Sequence, residues 1–558
     1  MVSYIAKATP EIALFAALAL GHALGRVKFG TFSLGGVAGS LVVALLIGQL
    51  TGIVMPDAVK AVCFALFIYA VGFKSGPEFF GSLNRSSLRL VLSSVVQCVA
   101  ALVAVIVLAR ACGFGKGFAA GIGAGALTQT AMLGTASDAV SRLGLGDEGA
   151  AKLNSQMAVG FAITYIFGTV GVIVFIRSVA PRLLGVDLKR AARELEARLA
   201  GDGTVTRPDL TTPFAHVTAR AFEVSNGADL TLDKVTKQFA RASIERVVRG
   251  KTVIEPSTEL VLKAGDVIGI SGRLEAVLAA GKLIGREVEN REALSYAAKA
   301  AAVVITDKRI VGRTIEQVRS LLGEGNLQGI YVSNLKRQGL SVPLLPGTLV
   351  RWGDVAELVG RPEQVDRVAR LLGWAETGNE KSDLAYHALA IVVGTLLGLC
   401  SVTIGGIPVM LGVGGGVLVS GLCFGWLHTR YPVAGALPGP AQWVLSELGL
   451  SAFAAAVGLG AGPRAVTAIR EHGIALLLVG AVVTVVPLIV ALGFGRFVLK
   501  LDPVILLGAI CGGQTVAAGL NAVTDATGSM TPVLGFTVTY AISNVLLAVW
   551  GPLIVAFA

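Results

Sequence analysis

The chain has 558 residues, 54% of them hydrophobic and only 15% charged, with a mean hydropathy of +0.74. A soluble domain carries about 25% charge, so most of this chain is excluded from being an ordinary soluble enzyme. The net charge of +11 does not call for nucleic acid, because the basic residues gather where apolar stretches end, as the positive-inside rule expects.

Crossing a bilayer takes about 20 apolar residues. Residues 1–184 offer 12–25, 31–56 and 58–73, then Leu90–Ala109 between Arg89 and Arg110, and Leu153–Ile176 between Lys152 and Arg177. Ile12–Gly25 follows Glu11 without a cleavage site and reads as a retained helix. Arg177, Arg182, Lys189, Arg190, Arg193 and Arg198 put the following polar region on the cytoplasmic side. That region divides into modules at 205–290 and 291–374 and a polar linker at 375–383. A second hydrophobic region, 384–558, contains Leu384–Thr429, 448–463, Ile474–Gly495 and Ala526–Ala558. Each region holds five or six apolar segments.

The two hydrophobic regions repeat each other. Ala70-Val71-Gly72-Phe73-Lys74-Ser75-Gly76-Pro77 matches Ala456-Val457-Gly458-Leu459-Gly460-Ala461-Gly462-Pro463 as A-V-G-x-x-x-G-P. Thr128-Gln129-Thr130 matches Gly513-Gln514-Thr515, each followed by an aspartate, Asp138 or Asp525. Gly160–Tyr165 matches Gly535–Tyr540, and Leu34-Gly35-Gly36-Val37 matches Ile404-Gly405-Gly406-Ile407. Four matches in one order indicate duplication. The fold class expected is an α-helical polytopic membrane protein of two inverted repeats, each with about five crossings plus a hairpin or broken helix. Both termini then lie outside.

The polar insert is a tandem too. Lys263-Ala264-Gly265-Asp266-Val267 recurs as Arg351-Trp352-Gly353-Asp354-Val355, a tight turn leading into a strand. Val303–Val311 and Ile330–Leu335 read as strands and Ile315–Leu322 as a helix, so each module is α+β.

Two membrane repeats around two such modules resemble the aspartate:alanine exchanger family of bacterial transporters, whose soluble modules have the RCK_C fold. The A-V-G-x-x-x-G-P elements, the paired Gln-Thr segments and the two Gly-Asp turns carry the resemblance. It implies exchange of small carboxylates or amino acids, aspartate for alanine or succinate export, at a bacterial inner membrane, in a homodimer with no cofactor. In the potassium regulators that share such modules they dimerise and can bind small ligands, so the tandem is expected to serve structural dimerisation first, with a cytosolic small-molecule regulator as the alternative.

Polar groups inside a membrane are costly and mark function. Gln129, Thr130, Gln514 and Thr515 lie in Gly-rich runs where two broken helices could bind a carboxylate through free N–H groups; alternatively they are polar glue between packed helices. Asn521, Asp525 and Asp138 could bind a substrate amino group or a cation, or cap helices. Lys74 could counter a dianion or snorkel to the interface; Arg464 is the nearest cation in the second repeat. Gly76-Pro77 and Gly462-Pro463 read as helix ends, kinks or hinges. Arg246, Arg249, Lys336 and Arg337 could bind an anionic regulator or form a solvated basic face. The six cysteines read as buried thiols without disulfides, and the five scattered histidines suggest no metal site. No phosphate loop or zinc-protease motif occurs. The function expected is a secondary antiporter, not an enzyme. The alternatives are a dicarboxylate exporter, or a ligand-gated cation channel or cation-proton antiporter.

Overall fold

The structure, a computed structural model, describes residues 9–29, 32–33, 35–83, 87–201, 217–225, 242–254, 256–257, 260–295, 298–323, 327, 329–375, 381–404, 407–410, 412–431 and 434–558. The repeat residues Leu34, Gly405 and Gly406, the start of the first module and most of the linker lie outside these. The chain forms two compact units, Met1–Leu195 with Gly378–Ala558, and Glu196–Thr377.

The first unit opens with α1 (Pro10–Gly25), a strand pair β1 (Lys28–Phe29) and β2 (Phe32–Ser33), and α2 (Gly36–Thr51). Then come α3 (Asp57–Ser82), α4 (Leu88–Ala111) and two short helices, α5 (Lys116–Ala126) and α6 (Thr130–Ser141). Next, α7 (Gly146–Val174) runs through a π-helical turn, Phe175–Val179, into α8 (Ala180–Leu184), followed by α9 (Leu188–Ala200).

The second unit is two five-stranded antiparallel sheets with helices. The first module contains β3 (Val217–Val224), β4 (Ala242–Arg249), β5 (Thr252–Ile254), β6 (Val267–Arg273), α10 (Leu274–Ile284), β7 (Gly285–Val288) and α11 (Arg291–Leu294). The second contains β8 (Lys299–Ile305), α12 (Ile315–Leu322), β9 (Ile330–Arg337), β10 (Leu340–Ser341), β11 (Val355–Gly360), α13 (Pro362–Leu372) and β12 (Gly373–Ala375). The sheet orders are β5-β4-β6-β3-β7 and β10-β9-β11-β8-β12, so both modules wind their strands identically. The strand expected over Val303–Val311 stops at Ile305, because the Asp307 carboxylate accepts the N–H of Arg309 and turns the chain.

The first unit resumes with α14 (Leu384–Leu399), the strand pair β13 (Ser401–Ile404) and β14 (Ile407–Met410), and α15 (Gly412–Arg430). A 55-residue helix, α16 (Gly439–Gly493), follows, extended by a π-helical turn at Phe494–Val498. The last elements are α17 (Pro503–Gly513), α18 (Ala517–Thr527) and α19 (Val533–Phe557). Among the described residues five helical stretches are long and apolar enough to cross a membrane, and α1, α2, α14 and α17 are shorter apolar helices. The chain is a polytopic membrane protein. The segments 448–463 and 474–495 are not separate helices, because Arg464–Gly473 between them is helical.

Helix, strand pair and helix open the first unit both before and after the second unit, and two short helices followed by a long one recur in both arms; between them the arms differ, α3 and α4 standing where the second arm has the single helix α16. The helices also pack crosswise: α3 lies on α15 and α2 on α16, while α4 lies on α19 and α7 on α16. The A-V-G-x-x-x-G-P motifs form the seams. A Cβ on Gly76 would sit 2.2 Å from the Leu422 carbonyl oxygen, and one on Gly462 would sit 2.3 Å from the Gln49 nitrogen. Backbones approach this closely only where side chains are absent. The motif is therefore no helix end: Pro77 and Pro463 both lie inside their helices, and the glycines press against the other half. The Leu34–Val37 match also shifts. Gly35 and Gly412, both with left-handed φ (+81° and +71°), stand where α2 and α15 begin, whereas Ile404 and Ile407 belong to the preceding strands.

Candidate functional site

Two interrupted helices meet inside the first unit. α5 ends in a Schellman turn: the Thr128 N–H donates to Gly125 O and the Gln129 N–H to Ala124 O. α17 ends identically, with the Thr515 N–H on Gly512 O and the Val516 N–H on Cys511 O. Glycine is the usual residue at the left-handed position of this turn. Here it is threonine both times, with φ of +52° at Thr128 and +56° at Thr515. A β-branched residue in that region is strained by about 1–3 kcal/mol, and such strain clusters at functional sites. The helices restart at once as α6 and α18.

The two breaks bond to each other. The Thr128 hydroxyl donates to Gln514 O at 3.3 Å, and the Thr515 hydroxyl to Leu127 O at 3.2 Å. Gln514 is fully buried; its Nε2 donates to Ala126 O and its Oε1 accepts from Gln97 Nε2. Gln97 Nε2 also reaches Ile510 O, at 3.1 Å, while its buried Oε1 has no partner among the described residues. Gln129 Nε2 donates to Asn544 Oδ1 at 3.1 Å. Thr130, 6% exposed, opens α6. So Gln129, Thr130, Gln514 and Thr515 gather at the crossing as expected, but their register differs. Thr128, not Thr130, is the counterpart of Thr515, and Leu127, not Gln129, that of Gln514. Identity of the Gln-Thr pair misled by two residues, because backbone conformation and not side-chain type sets the correspondence.

The charged candidates lie apart from this crossing. Asp138 is paired with Arg142 and accepts the Val413 N–H at 3.1 Å. Asn521 and Asp525 share an exposed face of α18. Lys74 and Arg464 are exposed as well, and neither has a hydrogen bond to the crossing residues. Sequence reasoning left out Thr128, Gln97 and Asn544 as site residues, and also Glu78, which is 3% exposed inside α3. Gln97 and Glu78 were detectable as lone polar residues in apolar runs. The left-handed Thr128 carried no such mark.

In the second unit, the basic candidates bond within their own modules. Arg249 holds Asp266 through two bonds at 2.8 Å and also donates to Val261 O. Arg337 repeats this with Asp354, through two bonds at 2.7 Å, and with Leu349 O. Burial alone would raise the Asp266 carboxyl; the Arg249 guanidinium and the Lys263 N–H outweigh it and hold Asp266 below the usual carboxylate range. Arg246 donates to the Glu292 and Ser295 carbonyls, and Lys336 pairs with Glu357 at 2.6 Å. Through these contacts the four brace the Gly-Asp turns and strands of their own modules. Cysteine burial is also mixed: Cys98 and Cys511 are buried, whereas Cys112, Cys400 and Cys423 are exposed.

The family described as the predicted permease membrane region matches residues 13–181 and 386–556, both arms of the crossed helical unit. The chain belongs to this permease family. A protein named as an uncharacterized transporter in Bradyrhizobium diazoefficiens is 40% identical over 557 residues, covering 100% of this permease and 99% of the relative. Another so named in Zymomonas mobilis is 38% identical, covering 98% of each chain, and one in Bordetella parapertussis is 40% identical, covering 99% and 98%. No solved structure matches the permease.

Proposed function

We propose that this permease is a secondary transporter that exchanges small carboxylates or amino acids by alternating access. The observation that carries the reading is the crossing at Thr128 and Thr515, where two broken helices carry strained, hydroxyl-bearing residues at matching positions. The first turns of α6 and α18 leave backbone N–H groups unpaired by their own helices, and a carboxylate is the natural ligand for such termini. Gln129 Nε2, with a second N–H beyond the one given to Asn544, would add a donor, and Gln97 Oε1, unpaired among the described residues, would accept from the ammonium of an amino-acid substrate. The recurring helix, strand pair and helix, the recurring broken helices and the crosswise packing support an inverted duplication, the architecture in which such midplane sites arise.

Exchange of an aspartate-like anion for neutral alanine would move net charge and be electrogenic; succinate export is the neighbouring possibility in substrate class. In this reading the permease lies in the inner membrane as a homodimer. The soluble modules, of RCK_C type, face the cytoplasm, and the termini face the periplasm. The Asp525 carboxylate, on the exposed face of α18 and without a partner among the described residues, favours a second reading, a cation- or proton-coupled antiporter.

Liposomes loaded with L-aspartate, tested for uptake of labelled aspartate, alanine and succinate, separate the readings. Uptake that requires internal substrate supports exchange. Equal uptake into empty liposomes removes obligate exchange and favours ion coupling or a channel.

A further inference from the structure

Asp138 and Asp525 stand at the same depth in the two broken helices, the same number of residues into α6 and α18. Their surroundings differ. Asp138 is docked on the start of α15: its Oδ2 accepts the Val413 N–H at 3.1 Å, and Arg142 holds the same carboxylate at 3.0 Å. The docking needs glycine at Gly412, where a Cβ would sit 2.3 Å from Asp138 Oδ2. Along α6, Thr130 and Gly134 are buried on the approach to Asp138.

The counterpart of this dock is the start of α2. Gly39 presses on Gly21 and Gly25 of α1 as Gly416 presses on Gly394 and Gly398 of α14, which pairs Gly35 with Gly412 and Gly36 with Val413. Gly35 shares the left-handed φ of Gly412, yet a Cβ there would meet nothing within 4 Å among the described residues. Asp525 is exposed, with no hydrogen bond or ion pair among the described residues, and so are Ala517 and Asn521 on its face of α18. One dock is filled and its twin stands open.

We propose that Asp138 and Asp525 form an alternating latch. In this form Asp138, on the Val413 amide, closes one side of the carrier while the Asp525 side is open. In the opposite form Asp525 docks on the Gly36 amide beside Gly35, and Asp138 lets go of Val413. The latch rests on the alternating-access reading above and supplies its switching contact. Gly412 and Gly35 are the residues that admit the carboxylates.

The test places a reporter on the open face. Asn521→Cys is introduced with Cys112, Cys400 and Cys423 changed to serine, and its labelling by a hydrophilic maleimide is timed in proteoliposomes without substrate. Asp138→Ala removes the filled latch and should slow labelling by about fivefold or more as the population moves to the Asp525-docked form. Gly412→Ala, which expels the carboxylate without removing it, should act in the same direction. Asp525→Ala should leave labelling at or above the parental rate. Labelling unchanged within about twofold in both Asp138→Ala and Gly412→Ala overturns the latch, even if exchange is intact. Labelling that responds as expected in a protein that exchanges no carboxylate keeps the latch and removes the substrate reading instead.

Discussion

Thr128 and Thr515 each sit in a left-handed backbone conformation, and each hydroxyl donates to the carbonyl of the residue that precedes the other. Glycine would relieve the strain at either position, but it would remove the bond. Thr128→Gly and Thr515→Gly should therefore leave thermal stability within about 1 kcal/mol of the parent, strain relief offsetting the lost hydrogen bond. Exchange in liposomes should fall at least about tenfold, a barrier change of about 1.4 kcal/mol. Serine, which keeps the hydroxyl, should recover most of it. Full activity in the glycine variants would assign the threonines no part in transport.

Gln514 should behave differently from its neighbours. Its amide is fully buried and serves both Ala126 O and Gln97 Nε2. Gln514→Ala removes one of two bonds at each partner, since Gln97 Nε2 also donates to Ile510 O and Ala126 O also accepts from the Thr484 hydroxyl, at about 0.5–1.5 kcal/mol per bond. A detergent melting curve should show a drop of several degrees, together with lost exchange.

The glycine seams give a sharper contrast within one helix. Gly462→Ala would drive a Cβ to 2.3 Å from the Gln49 nitrogen, whereas a Cβ on Gly460 meets only Val54 Cγ1, at 3.9 Å. Overpacking of this kind costs about 1–3 kcal/mol, so Gly462→Ala and Gly76→Ala should melt early while Gly460→Ala should not. Equal melting of all three would return the motif to a hinge.

The soluble modules carry an acid-sensitive brace. Asp266 is held below the usual carboxylate range, so its contribution is complete above the unfolded-state value of about 3.9 and is lost as pH falls through the lower folded value. Asp266→Asn should flatten the acid limb of the unit's unfolding curve. Arg337, at 2% exposure against 33% for Arg249, has the more deeply buried pair. Arg337→Ala should cost about 3–5 kcal/mol, the loss expected when a buried charge is left alone, and Arg249→Ala clearly less. Hydrogen exchange of β9 and β4 in the full chain would read the difference.

The sequence carried the broad architecture because apolar length and repeated order survive without coordinates. Leu90–Ala109 and Leu153–Ile176 became α4 and α7, and the Gly-Asp turns opened β6 and β11 in two identically wound sheets. Of its readings for Gly76-Pro77 and Gly462-Pro463 the helix end failed, because proline predicts a local break while close packing against Leu422 and Gln49 is a long-range fact. It slipped by two residues at Gln129 and Gln514, because φ at Thr128 and Thr515 leaves no trace in residue type. Arg249 and Arg337 looked free because their carboxylate partners lie 17 residues away, across a strand pair.

The crossed packing of α3 with α15 and of α2 with α16 also sets a schedule for biogenesis. When the ribosome has finished α3, the groove that Gly72 and Gly76 present has no mate, since Leu418 and Leu422 are still more than 300 codons from translation. At about 5–20 residues per second, the nascent amino-terminal arm waits tens of seconds in the bilayer for the chain beyond the soluble unit. Neither arm can mature alone, and a truncation after α9 would leave a product with its helix seams open to the quality-control proteases of the membrane.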